Sequence, residues 1–262
     1  MSKQHLEQTL QAVIASGGKC FVPYIMAGDG GLEVLVKRLE FLQEAGATMI
    51  EIGIPFSDPA ADGPVIQEAG IRALQAGTTI HGILDALAHV RKTVSIPLLF
   101  MTYLNPILAV GSEYFAEKCK QIGINGCIIP DLPLEEEQEI KSILQKSDIA
   151  LIRLASITSP PERLQQLAND AEGFIYAVTV KGVTGVRKEF DTDPTMYVQA
   201  LKERSSVPVL AGFGISTPEH VRKMSGVCDG VIVGSQIIQH LQNNEEQQIV
   251  ELIQAAKKSK SH

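Results

Sequence analysis

A chain of 262 residues with 45% hydrophobic and 20% charged side chains is long enough to bury a large core, and an α/β barrel of about 250 residues commonly forms one domain. Its 30 acidic against 23 basic residues give a formal charge of -7, which offers none of the basic surface that nucleic acid demands. The net charge leaves an anionic small ligand open, because backbone N–H groups at helix N-termini can hold one without adding charge.

The expected organisation is a single domain spanning residues 1–262, without linker or low-complexity segment. The first 19 residues are amphipathic but interleaved with Gln, Glu and Lys. No apolar run approaches the roughly 20 residues of a membrane span, so a cytosolic protein is expected. Cys20, Cys119, Cys127 and Cys228 lie far apart, with no CxxC pair and no His at ligand spacing. Buried reduced thiols are therefore expected, and neither a metal site nor a disulfide framework.

Cys20 to Met26 reads as a buried strand, with Gly28-Asp29-Gly30-Gly31 as its loop. Leu32, Leu35, Val36, Leu39 and Leu42 then recur at helical spacing up to Gly46. The next strand carries the first chemical signal. Ile50, Ile52 and Ile54 alternate with Met49, Glu51 and Gly53, so one face is apolar and the other brings a carboxylate toward whatever the sheet encloses. After Pro55, the loop from Phe56 to Asp62 delivers a second acid, and Gly63-Pro64 opens a helix. Burying a charge is costly unless a site uses it, which makes Glu51 and Asp62 candidate catalytic acids. A strand Glu can equally be a solvated edge residue, and an Asp before Gly-Pro an ordinary cap, so spacing alone leaves both readings open.

Two helical stretches between Pro64 and Arg91 are split at Gly77-Thr78, and Ile96 to Thr102 is the third strand. The cycle repeats with strands at Asn125 to Pro130, Ile149 to Ala155, Gly173 to Thr179, Val207 to Gly212 and Gly230 to Gly234. Ser159-Pro160, Asp193-Pro194 and Thr217-Pro218 each place a cap before a proline at the first helical position. Eight apolar strands alternating with helices fit either a closed (β/α)8 barrel or an open doubly wound sheet. The polar residues and glycine loops gather at strand C-terminal ends, and no GxGxxG opens a helix; both favour the barrel.

Glycine clusters follow the last three strands: Gly182 to Gly185, Gly212 to Ser216, and Gly234-Ser235. Glycines merely turn chains in many loops. Three clusters on the terminal loops of a barrel instead suit a phosphate held by backbone N–H groups and a helix N-terminus, with Gly185, Gly214, Gly234 and Ser235 as its site.

The sequence resembles the tryptophan synthase α chain family over essentially its whole length. The likeness is carried by Phe21-Val22-Pro23-Tyr24, by Glu51-Ile52-Gly53-Ile54-Pro55-Phe56-Ser57-Asp58-Pro59 through Ala61-Asp62-Gly63-Pro64, by Pro130-Asp131-Leu132-Pro133, and by the three glycine loops. The resemblance implies a TIM barrel with an extra N-terminal helix that cleaves indole-3-glycerol phosphate to indole and glyceraldehyde 3-phosphate. It implies no cofactor in this chain, and a β-chain partner that carries pyridoxal phosphate and assembles with it as α2β2. Glu51 and Asp62 match the family's two catalytic acids, and Phe21, Met101, Tyr176 and Phe213 are expected to line the apolar part of the pocket. Apolar side chains on the loops after strands two and three are read as a partner surface comprising Phe56, Asp58, Pro59, Leu104 and Asn105, although Leu104, Ile107 and Leu108 would also suit a short helix on the barrel rim.

The sequence departs from the family at Asp29-Gly30, where Asp-Pro is common, and at Thr179-Val180-Lys181, where many members have a Ser and different neighbours, before the glycine loop Gly182 to Gly185 that follows the sixth strand. The rival readings are a Schiff-base aldolase working through Lys181, another phosphosugar-barrel lyase, and a phosphate-binding barrel that has lost its chemistry and serves as a regulatory subunit.

Overall fold

Eight short apolar segments form one closed parallel barrel: β1 Cys20–Met26, β2 Ile50–Gly53, β3 Leu98–Met101, β4 Gly126–Ile128, β5 Ala150–Ser156, β6 Ile175–Val178, β7 Val209–Gly212 and β8 Gly230–Val233. The computed structural model describes residues 2–179, 194–212 and 214–257. Neighbours pair in chain order, and β8 closes on β1 through Cys20 beside Gly230 and Phe21 beside Val231. The α/β TIM barrel expected from the strand count is the architecture observed. Helices fill the connections and follow the last strand: α1 Lys3–Ala15, α2 Leu35–Ala45, α3 Pro64–Gln75, α4 Ile80–Ala86, α5 Leu104–Val110, α6 Ser112–Ile122, α7 Gln138–Lys146, α8 Pro161–Ala168, α9 Pro194–Arg204, α10 Pro218–Ser225, α11 Ser235–Gln242 and α12 Glu246–Lys257.

The strands are apolar on both faces because both are covered. Ile50, Ile52 and Ile54 pack outward with Leu35, Leu39 and Leu42 of α2. Met49, Leu99, Ile128, Ile152, Phe174, Leu210 and Ile232 fill the barrel interior, joined by Leu6 and Leu10 of α1. Each of these large side chains, fully buried, contributes roughly 1.5–3 kcal/mol. The N-terminal helix thus closes one end of the barrel with apolar side chains.

Polar side chains tie the strand beginnings together at that same end. Asn125 accepts the Leu98 N–H at 3.0 Å and an Arg91 N–H at 2.8 Å. Asp229 accepts the Val209 N–H at 2.9 Å and Lys202 at 2.8 Å. Glu172, which precedes β6, accepts from Lys3 and Gln145, each at 2.9 Å, and from the Leu151 N–H at 3.2 Å. All four cysteines are buried free thiols.

Local punctuation agrees with the sequence in most places. Gly46 ends α2 in the left-handed conformation, Gly63 precedes Pro64 at the start of α3, and the Thr217 side chain accepts the His220 N–H at the start of α10. Two helix starts differ. Leu32 belongs to a separate 3-10 turn, Leu32–Val34, because α2 starts only at Leu35. The helix expected to start at Pro160 starts one residue later: Pro160 is extended (ψ 158°) and Pro161 takes the first helical position. A residue before proline is pushed out of the helical region, and in Pro160-Pro161 that rule applies to Pro160 itself. Asp193 lies outside the described residues.

Candidate active site

The strand C-termini surround a cavity of about 180 Å³ lined by Tyr24, Glu51, Asp62, Gly63, Ile66, Met101, Tyr176, Ile232 and the loops at Gly214–Ser216 and Gly234–Gln236. Glu51 reaches it because β2 turns Met49 and Glu51 inward and its isoleucines outward. Asp62 arrives from the loop after β2, whose final turn is set by the Asp62 N–H donating to the Pro59 carbonyl at 3.0 Å. The two carboxyls therefore share one cavity, at 0% and 5% exposure.

Among the described residues, neither oxygen of Glu51 has a hydrogen-bond partner, nor does Oδ1 of Asp62. Buried polar atoms are nearly always paired, and leaving one unpaired costs about 1–3 kcal/mol. Burial, and next the charge of Asp62, push the Glu51 pKa up to about 8. Burial also raises Asp62, to about 6, against the opposing hydrogen bond from Tyr103. Near neutral pH the pair therefore divides into a protonated Glu51 and an ionised Asp62.

Tyr103 organises the Asp62 loop. Its hydroxyl accepts the Ala61 N–H at 2.9 Å, and its ring packs on Phe56 with centroids 5.3 Å apart. The loop after β1 is fastened as well: Arg72 of α3 grips the Asp29 carboxylate through two bonds of 2.8 and 2.9 Å, and Arg38 binds the Asp29 carbonyl. These fastenings hold the loop at Asp29, next to Gly30.

Close approach explains two glycines on the cavity wall. A Cβ on Gly53 would stand 1.9 Å from the Tyr24 hydroxyl, and one on Gly212 would stand 2.5 Å from the Tyr176 ring. Only a missing side chain lets these tyrosines lie across their neighbouring strands.

Met101 and Tyr176 line the cavity as expected. Phe21 does not: it is buried in the outer core beside Ile25, between barrel and helices. The physical reason is strand alternation, which turns Val22, Tyr24 and Met26 inward and leaves Phe21 facing out. Tyr24 is thus the aromatic residue β1 gives the site, and pairing β1 with the Glu51 strand in register would have pointed to it. Gly214, Gly234 and Ser235 line the cavity around the N-terminus of α11, joined by Ser216, the last residue of the second glycine cluster. Phe213, Gly185 and Lys181 lie outside the described residues.

The loop residues form a separate group on the same face. Asp58 and Asn105 are exposed, and Phe56, Pro59 and Leu104 are half-buried. Leu104 begins α5, a helix on the rim, and its N–H donates to Asp131 at 2.9 Å. Ile107 of that helix is buried in the core while Leu108 is 54% exposed.

Residues 10–262 match the model of one protein family, the tryptophan synthase alpha chain. The chain belongs to the tryptophan synthase alpha chain family. A tryptophan synthase alpha chain of Bacillus cereus (strain AH820) is 53% identical over 250 residues, covering 95% of this chain and 97% of that protein. The corresponding chain of Bacillus cereus (strain ATCC 10987 / NRS 248) is 54% identical over the same coverage. Among solved structures, tryptophan synthase subunit alpha of Legionella pneumophila str. Paris superposes with a TM-score of 0.85 at 33% identity, covering 98% of both chains. A chain of Mycobacterium tuberculosis tryptophan synthase gives a TM-score of 0.88 at 29% identity, covering 96% of this chain and 98% of that one. Membership in an alpha chain family implies a β-chain partner. Among the described residues, no helix is long and apolar enough to cross a membrane.

Proposed function

We propose that this cavity performs the retro-aldol cleavage of indole-3-glycerol phosphate, with Glu51 and Asp62 as its two acids. The observation that carries the reading is the pair of buried carboxyls in one cavity, three of whose four oxygens have no hydrogen-bond partner among the described residues. Groups kept unpaired at such a cost are available to a ligand.

The substrate has no carbonyl to serve as an electron sink, so the indole ring must become one. Glu51 delivers a proton to the ring carbon that bears the side chain, leaving a positive charge shared with the ring nitrogen. Loss of the proton from the adjacent side-chain hydroxyl then drives the carbon–carbon bond to break. The bond's electrons return to the ring, releasing indole, and the former hydroxyl carbon becomes the aldehyde of glyceraldehyde 3-phosphate. One proton enters and one leaves, and the Glu51 carboxylate formed in the first step is placed to take the second. A carboxyl with a pKa near 8 donates at neutral pH, and an ionised Asp62 accepts the ring N–H and stabilises the positive charge. Met101 and Tyr176 supply apolar wall, and Gly214, Gly234, Ser235 and the start of α11 supply the phosphate end.

In this reading the whole chain is one barrel domain of a cytoplasmic α2β2 complex. Pyridoxal phosphate belongs to the β chain, and the α chain uses no cofactor of its own. The rim carrying Phe56, Asp58, Pro59, Leu104 and Asn105 faces that partner, so indole leaves the cavity toward it.

The test is the release of indole and glyceraldehyde 3-phosphate in equal amounts from indole-3-glycerol phosphate by the purified chain, with and without a β chain. Release is expected in both cases and faster with the partner, and Asp58→Lys should weaken complex formation. Absence of release in both cases overturns the assignment.

A further inference from the structure

The cleavage steps leave the Tyr24 hydroxyl, on the cavity wall, without a task. It is the register partner of Glu51 on the neighbouring strand. Its ring passes along the inner wall, and its hydroxyl lies over the backbone of Gly53, two residues nearer the barrel mouth than Glu51. In that position the hydroxyl donates to the Met26 thioether at 3.9 Å. A thioether is a weak acceptor, so this O–H is held loosely although it is buried. A phenylalanine would make the same apolar wall without the burden of placing an O–H beside two carboxyls.

We propose that Tyr24 is a positioning residue for the proton transfer, its hydroxyl turning from Met26 to the Glu51 carboxylate that is left once Glu51 has given up its proton. The inference rests on the role given to Glu51 above and deepens it. Glu51 carries no donor in the resting site, which suits an acid that must be protonated. Once the proton has gone, the same site holds a buried carboxylate beside ionised Asp62, a state that nothing in the resting arrangement stabilises. The Tyr24 hydroxyl, beside Glu51 in the same layer of the barrel, is a donor whose acceptor is only a thioether. The Tyr103 phenol is engaged by Ala61 and Asp62. The ionisable groups facing this space among the described residues are Asp62 from the loop after β2, Tyr103 from the start of α5, Tyr24 from β1 and Tyr176 from β6. Burial, then the carboxyls of Asp62 and Glu51, hold the Tyr24 phenol well above its ordinary pKa, so it remains a donor across the working pH range.

A hydrogen bond donated to the charged form favours that form. Two substitutions in the full chain should therefore move the pH–rate profile in opposite directions. In Tyr24→Phe, kcat for indole release should fall about 3- to 10-fold with KM little changed, the range expected for the net contribution of one hydrogen bond. Its alkaline limb, where Glu51 loses its proton, should move to higher pH by up to about one unit. In Met26→Leu the hydroxyl loses its competing partner, and the limb should move to lower pH. An unchanged limb in both variants overturns the proposal, whatever happens to kcat, and a Tyr24→Phe effect confined to KM assigns the hydroxyl to substrate binding and overturns it too. Should Tyr24→Phe fail to fold, an unmoved or upward-shifted limb in Met26→Leu is enough to overturn it. Failure of the wild-type chain to release indole would instead strike the function itself.

Discussion

Glu51 and Glu172 are the same side chain at opposite ends of one barrel, and both are buried. Glu172, at the N-terminal end, accepts hydrogen bonds from Lys3, Gln145 and the Leu151 N–H. Burial alone would raise its pKa, but the bonds from Gln145, Lys3 and Leu151 outweigh it and hold the group below the ordinary glutamate value. Glu51, at the C-terminal end, has no donor among the described residues, and burial takes it up to about 8. The environment, not the residue type, separates a carboxylate that fastens the fold from a carboxylic acid kept ready for proton transfer. Asn125 and Asp229 repeat the first pattern at the bottom of the barrel, while Asp62 at the top stands between the two, with Oδ1 unpaired and a hydrogen bond from Tyr103. In a barrel of this class the bottom serves stability and the top serves chemistry.

The largest effect should come from breaking the upper member of the pair. Glu51→Gln should lower kcat for indole release by about 100- to 10,000-fold, the span typical of a lost general acid. Its effect on stability has a calculable sign. A folded pKa of about 8 lies above the unfolded value of about 4.3, so the folded state binds more protons between them. The stability from Glu51 is fully present below the unfolded pKa and is lost as pH rises toward about 8. Thermal melts across this range should therefore show a smaller decline in Glu51→Gln than in the wild-type chain. Asp62→Asn should come next, at about 100- to 1,000-fold in kcat, because it removes a fixed negative charge from the developing cation.

Breaking the lower member should do the reverse. Glu172→Gln should cost about 1–3 kcal/mol of stability, since its donors lose a charged acceptor, while kcat per folded molecule stays unchanged. The sign of its pH dependence is also opposite. A depressed folded pKa gives stability that is present above the unfolded value and lost as pH falls through the folded one. Chemical denaturation near pH 7 and near pH 4 would check both statements. The smallest effect belongs to Phe21→Leu, which should cost about 1–2 kcal/mol through lost packing in the outer core and leave kcat/KM untouched. A raised KM in that variant would return Phe21 to the cavity.

Much of this arrangement was legible in the sequence, for a physical reason. Short apolar strands, Gly46, Gly63-Pro64 and Thr217-Pro218 each state a local rule that the fold obeys. Glu51 was legible because alternation on β2 is strict, with isoleucine on one face and a charge on the other. The alternation on β1 is masked. Cys20 to Met26 is apolar throughout, so composition does not separate its faces or say which of Phe21 and Tyr24 turns inward. Only the register with β2 settles which of them points inward. The role of Tyr103 is not legible for a different reason: its bond to Ala61 joins residues 42 positions apart, a contact no local pattern announces. The fastening of Asp29 by Arg72 is equally non-local.

The contrast between the two glutamates can be read without turnover. Carbon-13 labelling of the glutamate side-chain carboxyls, followed by NMR titration of the full chain, gives each group its own curve, with Glu51→Gln and Glu172→Gln supplying the assignments. The account predicts that the resonance lost in Glu51→Gln titrates far above all ordinary glutamates, toward about 8, and that the one lost in Glu172→Gln titrates below them. A Glu51 curve at the ordinary value of about 4.3 would mean that the carboxyl is ionised and solvated at neutral pH, and would contradict its role as the proton donor.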